Sequence, residues 1–415
     1  MNAAPTDRAR LRPRGSSQGG LRQYNERVVL QAIRLQGALP AAEIARVTQL
    51  TAQTISLITK RLLDDGLLLK GEPVRGKVGQ PSVPLSLNPE GAYAIGIKVG
   101  RRSLDVVLVD FVGQVRQRWD LSYTHADPDV LLPEIGKRLK DIHKKLGPEA
   151  RGLVQGIGIA APLSLGGWQS LLGLPAEVAA KWQHLDLAQA VGQLTELPVT
   201  LIKDTAAACV AELVAGRGRS VKSFLYIFVD TFIGGGLVLD SHLRAGISGN
   251  AGAVGSLPLW TAGADRKGGA APAQLLSVAS LLRLERAYAA AGLELAAVGD
   301  TRAMQPPWLP HTQAWLAEAA AAIAQAVQSA ACLLDLEGVI LDGNFARELL
   351  AELLGATTLA LQRYDWEGVA QPALMAGTIG SDARALGGAL LPLYANFAPD
   401  RDLFLKDAGS SAQTA

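Results

Sequence analysis

The stretch that most restricts the fold is residues 48–88: T-Q-L-T-A-Q-T-I-S-L-I-T-K-R-L-L-D-D-G-L-L-L-K, then G-E-P-V-R-G-K-V-G-Q-P-S-V-P-L-S-L-N. Ile55, Ile58 and Leu62 recur at helical spacing, while Gln53, Ser56, Thr59, Lys60 and Arg61 fill the remaining positions. Thr51 offers a side-chain oxygen to the open N–H groups of a helix start, and Gly66 stands where that helix should stop. Two short apolar runs follow, residues 67–69 and 83–87, joined by a Gly-rich basic turn in the pattern of a hairpin. A helix with an apolar stripe must bury it on neighbours, which leaves its polar side free.

The preceding sequence supplies those neighbours. Residues 25–36 read as a helix with Val28, Val29, Ile33 and Leu35 as its apolar face, and residues 40–47 as a second with Pro in its first turn. Ile44 and Val47 of that second helix should pack on Ile55 and Ile58. Three short helices and a basic hairpin make a winged helix-turn-helix, whose third helix enters the major groove of double-stranded DNA. Ala52, Gln53, Ser56 and Lys60 are therefore expected near base edges, Gln53 being suited to adenine and Ala52 to a thymine methyl. Thr51 and Arg61 are expected at phosphates, and Arg75, Lys77 and Gln80 on the wing at phosphates or the adjacent minor groove. A solvated helix face, or a winged helix used for protein contact, is the competing reading.

Charge divides the chain in the same place. Residues 1–90 hold 13 Lys/Arg against 7 Asp/Glu, whereas the remainder holds 27 against 31, a basic head on a mildly acidic body. Residues 1–22 carry Arg8, Arg10, Arg12, Arg14 and Arg22 among Pro, Ser and Gly. They read as a disordered arm that either follows phosphates or is simply solvated. The two cysteines, Cys209 and Cys332, lie far apart in Ala-rich surroundings and are expected to be buried small side chains, without a disulfide or a Cys-rich metal site. No signal-peptide core is evident, and Glu318, Gln325, Gln328 and Ser329 interrupt the longest apolar run, residues 317–334, so a cytoplasmic protein is expected.

From Tyr93 the pattern changes to A-I-G-I-K-V-G and S-L-D-V-V-L-V-D-F-V-G-Q-V, strands joined at Arg101-Arg102 and turning at Val112-Gly113. A helix over residues 129–146, the strand L-V-Q-G-I-G-I-A-A-P-L, and P-V-T-L-I-K-D-T-A-A-A-C-V-A-E-L, a strand breaking into a helix at Asp204, complete a mixed α/β layer. Further on come a long Ala-rich helix over residues 312–334, the buried strand L-E-G-V-I-L-D-G-N-F, and a last helix through S-D-A-R-A-L-G-G-A-L-L-P-L-Y. No internal repeat is evident in the residues.

From N-E-R-V-V-L-Q-A-I-R-L-Q-G, through A-A-E-I-A-R-V-T-Q-L-T-A-Q-T-I-S and G-Q-P-S-V-P-L-S-L-N-P-E-G-A-Y, to about Ala395, the chain resembles ROK-family regulators (repressors, open reading frames and sugar kinases). The resemblance implies an actin-like, sugar-kinase-type α/β body in two lobes behind the N-terminal winged helix-turn-helix. It divides the chain into an arm (1–22), a DNA-binding head (23–90), an effector-sensing and dimerising body (91–396) and a tail (397–415).

The same resemblance makes demands that this sequence does not meet. Family kinases open the body with D-x-G-G-T, serving Mg²⁺ and ATP phosphates; here Lys98 replaces the Asp and Arg102 the Thr. A Lys cannot ligate Mg²⁺. The family's N-D pair, whose Asp takes the sugar hydroxyl proton, is Lys203-Asp204 here, and an Asp at that junction also suits a helix cap. The stretch F-V-D-T-F-I-G-G-G keeps Gly234, Gly235 and Gly236, which suit either close approach to a ligand or a tight turn. In G-I-S-G-N-A-G-A-V-G-S-L-P-L the family's sugar-binding Glu is Ala253 and its sugar- and zinc-binding His is Ser256; the last zinc Cys corresponds to Gln274 and a second sugar Glu to Leu276. The five His, at 125, 143, 184, 242 and 311, show no metal-ligand spacing.

The resulting expectation is a regulator, not an enzyme, with no metal and no cofactor: a repressor of carbohydrate-related genes whose effector, a small sugar or sugar derivative, meets Lys203, Asp204, Gly249, Asn250 and Ser256. Lys203 would also accept an acidic or phosphorylated ligand. The operator would be bound by a homodimer or dimer of dimers. An active ATP-dependent sugar kinase with an accessory head, or a regulator controlled by a protein partner, are the alternatives.

Overall fold

The computed structural model describes residues 18–73, 82–167, 169–260 and 272–399. Of the expected arm (1–22), residues 1–17 lie outside the described residues, while 18–22 open the first helix instead. Of the expected tail (397–415), Phe397 still ends the last helix while residues from 400 lie outside, as do the wing positions Arg75, Lys77 and Gln80. The chain forms two compact units. One holds the residues up to Ala92, the turn Asp110–Val112 and the chain from Leu393 onward; the other holds Tyr93–Val109 and Gly113–Pro392.

In the first unit, α1 (Gln18–Gln36), α2 (Ala41–Thr48) and α3 (Ala52–Asp64) stack beside a three-stranded sheet of β1 (Leu39–Pro40), β2 (Leu68–Lys70) and β3 (Pro84–Leu87), in the order β1-β3-β2. The hairpin is antiparallel, with Leu68 opposite Leu87 and Lys70 opposite Leu85. Ile44, Ile55, Ile58 and Leu62 are buried together with Val29, Leu30 and Ile33. Leu35, expected in this core, is 46 % exposed, and Leu30 takes the inward position. The reason is angular: 29, 30 and 33 share a helix face, whereas 35 points away from it. Between α2 and α3 the chain reverses at Gln49, which takes φ +57°, and the Thr51 oxygen accepts from the Thr54 N–H at 3.2 Å. The turn residue Phe111 belongs to this unit through the Arg34 guanidinium, which donates to its carbonyl at 2.9 Å and lies 5.1 Å from its ring, and through edge contact with Phe397.

The second unit contains two five-stranded sheets. β4 (Tyr93–Val99), β5 (Ser103–Asp110), β6 (Val115–Ser122), β7 (Val154–Ala161) and β8 (Val199–Lys203) are ordered β6-β5-β4-β7-β8. β9 (Phe224–Val229), β10 (Gly234–Leu239), β11 (His242–Arg244), β12 (Gly338–Gly343) and β13 (Ala373–Ala376) are ordered β11-β10-β9-β12-β13. Each sheet thus runs third, second, first, fourth, fifth in chain order, with parallel pairing from the first strand through the fifth. This is a repeat of topology that the residues do not display, because strand order can recur while side chains diverge.

Helices cover both sheets. Pro128–Arg151 packs Leu131, Ile135, Leu139 and Ile142 on the first. Leu309–Leu334 packs Trp315, Ile323 and Val327 into the core of the second. By length and composition Leu309–Leu334 is, among the described residues, the one helix that could cross a membrane, but 56 % of its most apolar window is buried inside the body, as in a core helix. The last helix, Ala383–Phe397, approaches backbone to backbone: a Cβ on Gly96 or Gly158 would overlap the Ala385 or Gly388 carbonyl, and one on Gly387 the Ala207 carbonyl. Cys209 is buried as expected; Cys332 is exposed, because it lies on the side of the long helix turned away from the core.

Candidate functional site

On α3 the apolar stripe faces inward and takes Thr59 with it, whose hydroxyl donates to the Ile55 carbonyl at 2.8 Å, so the outward positions are those on the opposite side. Gln53, Ser56 and Lys60, at intervals of three and four, share one exposed helix face, with Ala52 exposed at its N-terminal end. Leu57 joins that face and is 67 % exposed, a large apolar side chain set among polar ones. The sequence does not mark Leu57 as outward-facing, because an apolar side chain on an amphipathic helix counts toward its core. Thr51 is the cap of the helix as well as an exposed hydroxyl. Arg61, expected at phosphate, ion-pairs with Glu26 of α1 at 2.7 Å, which holds its guanidinium beside the helix.

In the body, a cavity of about 200 Å³ is bounded by Arg101, Ser164, Lys203, Asp204, Asn250 and Ser256, with Phe232 and the glycine turn at Gly234. The structure brings together Lys203, Asp204, Asn250 and Ser256; Gly249 lies outside the lining, where its φ of +70° turns the loop. Asp204 is the first residue of the helix Asp204–Ala215, after the cap position, so it does not act as the N-cap; among the described residues its carboxylate accepts from its neighbour's N–H, that of Thr205, at 2.8 Å. Lys203 donates to the Gly235 carbonyl at 3.3 Å, and burial pushes its pKa down, partly offset by Asp204. The three glycines serve packing: Gly234 and Gly236 bring β10 against Thr205 and Cys209 of that helix, where a Cβ would clash.

A neighbouring cavity of about 300 Å³ shares Arg101 and Asp204 and adds Lys98, Arg102, Asp230, Glu285 and Arg384. Here Lys98, Arg102 and Arg384, unlike the shared Arg101, are paired within the protein. The Lys98 ammonium donates to Asp105 at 2.8 Å and to the Ser103 hydroxyl, Arg102 pairs with Glu285 at 2.7 Å, and Arg384 pairs with Asp230. Asn344 adds a hydrogen bond to Asp230 at 3.2 Å. Burial pushes the Lys98 pKa down, as does Arg384, against the pull of Asp105 and Asp230. Against the cost of burial, Arg384 and Lys98 hold the Asp230 carboxyl below its ordinary value. The sequence reading singled out Lys98 and Arg102 here but not Asp230, Glu285 or Arg384, whose partners are remote in the chain.

These donor sets do not fit the metals of the family kinases. At the position that would serve Mg²⁺ stands an ammonium engaged as a donor, and at the zinc positions stand Ser256 and Gln274. Among the described residues no group of three His, Cys, Asp or Glu is arranged to hold a metal ion.

The ROK family profile matches residues 94–393. A xylose repressor of Caldicellulosiruptor bescii is 27 % identical over 236 residues, covering 57 % of this chain and 58 % of that protein. The chain spans about three-fifths of the length of such curated relatives. A crystal structure of a ROK family transcriptional regulator, homologue of the E. coli MLC protein, superposes with a TM-score of 0.64 at 20 % identity, covering 91 % of this chain and 98 % of that one. A ROK hexokinase from Thermus thermophilus superposes at 0.53 with 23 % identity over 72 % of this chain and 97 % of its own. The fold is therefore the sugar-kinase-like α/β fold common to these regulators and kinases, joined to a helical N-terminal head. With the family profile matching well over half its length, the chain belongs to the ROK family.

Proposed function

We propose that this protein is a sequence-specific DNA-binding transcriptional regulator, a repressor of carbohydrate-related genes, whose body takes a small sugar-like effector and does not phosphorylate it. The observation that carries the reading is the ammonium of Lys98, bonded to Asp105, at the position from which family kinases serve Mg²⁺ and ATP. The exposed α3 face of Ala52, Gln53, Ser56, Leu57 and Lys60 supports DNA contact, with Thr51 at the helix start. The cavity beside Lys203 and Asp204 supports effector binding. In this reading the protein acts in the cytoplasm as a homodimer on a two-fold operator. The effector changes the affinity of the two heads for DNA, and operator weakens effector binding by the same factor.

The similarity to a ROK hexokinase, and the retained Asp204, favour a second reading, an active sugar kinase with an accessory head. The experiment is fluorescence anisotropy of the full-length protein on DNA upstream of its own and adjacent genes, over a salt series with scrambled competitor, alongside a coupled assay of ATP consumption with sugars. Specific binding that weakens steeply with salt, with no ATP turnover, is the expected result. Binding equal to the scramble sinks the operator reading, and sugar-dependent ATP turnover replaces it with the kinase.

A further inference from the structure

The cations that line the two adjoining cavities fall into two groups. Around the larger cavity, Lys98, Arg102 and Arg384 each have a carboxylate partner: Asp105, Glu285 and Asp230. By contrast Arg101, which lines both cavities, and Lys203, which lines the smaller, form no ion pair among the described residues. The Arg101 side chain lies with its guanidinium carbon 4.6 Å from the Phe232 ring centroid, and its Nε is buried without a hydrogen-bond partner among the described residues. Among the described residues Lys203 has a single carbonyl at 3.3 Å to satisfy three N–H donors. Asp204, the one carboxylate among the described lining residues, favours the charge on both through space but bonds to neither through a described contact, accepting from the Thr205 N–H.

Cations withdrawn from water are costly unless an anion and hydrogen bonds compensate them. Two such groups in one small cavity, beside hydroxyl- and amide-bearing Ser164, Asn250 and Ser256, describe a recognisable ligand. We infer that the effector is an anionic sugar derivative, its carboxylate or phosphate held by Arg101 and Lys203 and its hydroxyls by Asp204, Asn250 and Ser256. This rests on the proposed effector role of the cavity and names the ligand class for it. Arg101 supplies a planar fork for two anion oxygens, and Lys203 a compact charge. The volume of about 200 Å³ restricts the ligand to roughly one sugar ring with its charged substituent.

Full-length protein is titrated calorimetrically with glucose, glucuronate and glucose 6-phosphate. In parallel its thermal unfolding is followed in inorganic phosphate and in acetate, which carry the two anionic groups without any sugar stereochemistry. At least one anion is expected to raise the unfolding temperature. That gain should vanish in R101Q and in K203Q, persist in part in R101K, which keeps the charge without the fork, and grow in D204N, which removes the opposing charge. A charged sugar that fits should bind roughly tenfold or more tightly than its neutral counterpart. A response to phosphate alone assigns a phosphorylated sugar, and one to acetate alone a sugar acid. Cooperative unfolding of each variant establishes that it folds, and the R101K comparison stands if R101Q does not. Anion responses unchanged in R101Q and K203Q, or no response to either anion, overturn the inference. If neutral sugars then bind and release operator, the proposed function survives without it. Failure of operator binding itself, measured separately, removes the proposed function instead.

Discussion

Gln53, Ser56, Leu57 and Lys60 stand on one helix, Ala52–Asp64, whereas Arg101, Lys203, Asn250 and Ser256 reach their cavity from four separate segments: a turn after β4, the end of β8, a loop and a short 3₁₀ turn. In the head, the side chains that present chemistry are the ones the core does not use, so recognition and stability are nearly separable. In the body, Arg101 and Lys203 stand beside charged groups that hold the fold, Arg384 with Asp230 and Arg102 with Glu285, so a change at one cavity is felt at its neighbour.

The sharpest way to break that comparison is at the body's buried pair. D230N leaves Arg384, whose side chain is 5 % exposed, without its counter-charge, and a loss of about 3–5 kcal/mol in unfolding free energy is expected from breaking a buried pair. Chemical denaturation of the isolated variant measures it. The pH dependence sharpens the assignment. Because Asp230 titrates below its ordinary value in the folded protein, the stability it contributes is complete above its unfolded-state pKa. That stability is lost as pH falls through the lowered native value, so D230N should flatten this acid-side decline. A stability curve that keeps its full acid slope would detach Asp230 from it.

In the head, I55A removes a fully buried side chain and should cost about 2–5 kcal/mol, with operator binding falling only because the head unfolds. Raising stability with osmolyte should then restore binding. Q53A is the counterpart on the outer face: no change in thermal unfolding, but a loss of about 1–3 kcal/mol in operator affinity, concentrated at one base pair when mutated operators are compared by anisotropy. If the loss were spread evenly over all operators, Gln53 would be a backbone contact. The smallest effect is that of T51A, which removes the cap oxygen at 3.2 Å from the Thr54 N–H and should cost about 1 kcal/mol of stability. A binding loss well above that stability loss would assign the Thr51 hydroxyl to DNA as well.

The head was legible in sequence because its determinants are local. The Thr51 cap, the stop at Gly66 and the Ile55, Ile58, Leu62 stripe each depend on residues a few positions apart, and the helix and hairpin lie where those signals put them. The reading failed where direction on a helix mattered at finer grain, as with Leu35 facing out and Leu57 standing exposed among polar neighbours. In the body, Lys203, Asp204, Asn250 and Ser256 could be gathered only through the family's motifs, since nothing in their spacing says they meet. Arg101 was passed over as part of a strand connection, although two successive arginines after Lys98 were the available signal.

By itself, the sequence determined the periodic elements and the basic head on an acidic body. Those are properties of neighbouring residues and of composition. Tertiary structure alone decided that Lys98, Arg102 and Arg384 are neutralised from within while Arg101 and Lys203 have no ion-pair partner among the described residues. It also decided that two sheets with unlike side chains share one strand order, and that Phe111 and Phe397 join the head's unit. The reason is distance along the chain. Helical and strand periods act between residues that are sequence neighbours, whereas the partnership of Arg384 with Asp230, or of Arg102 with Glu285, exists only once folding has closed more than a hundred residues of intervening chain.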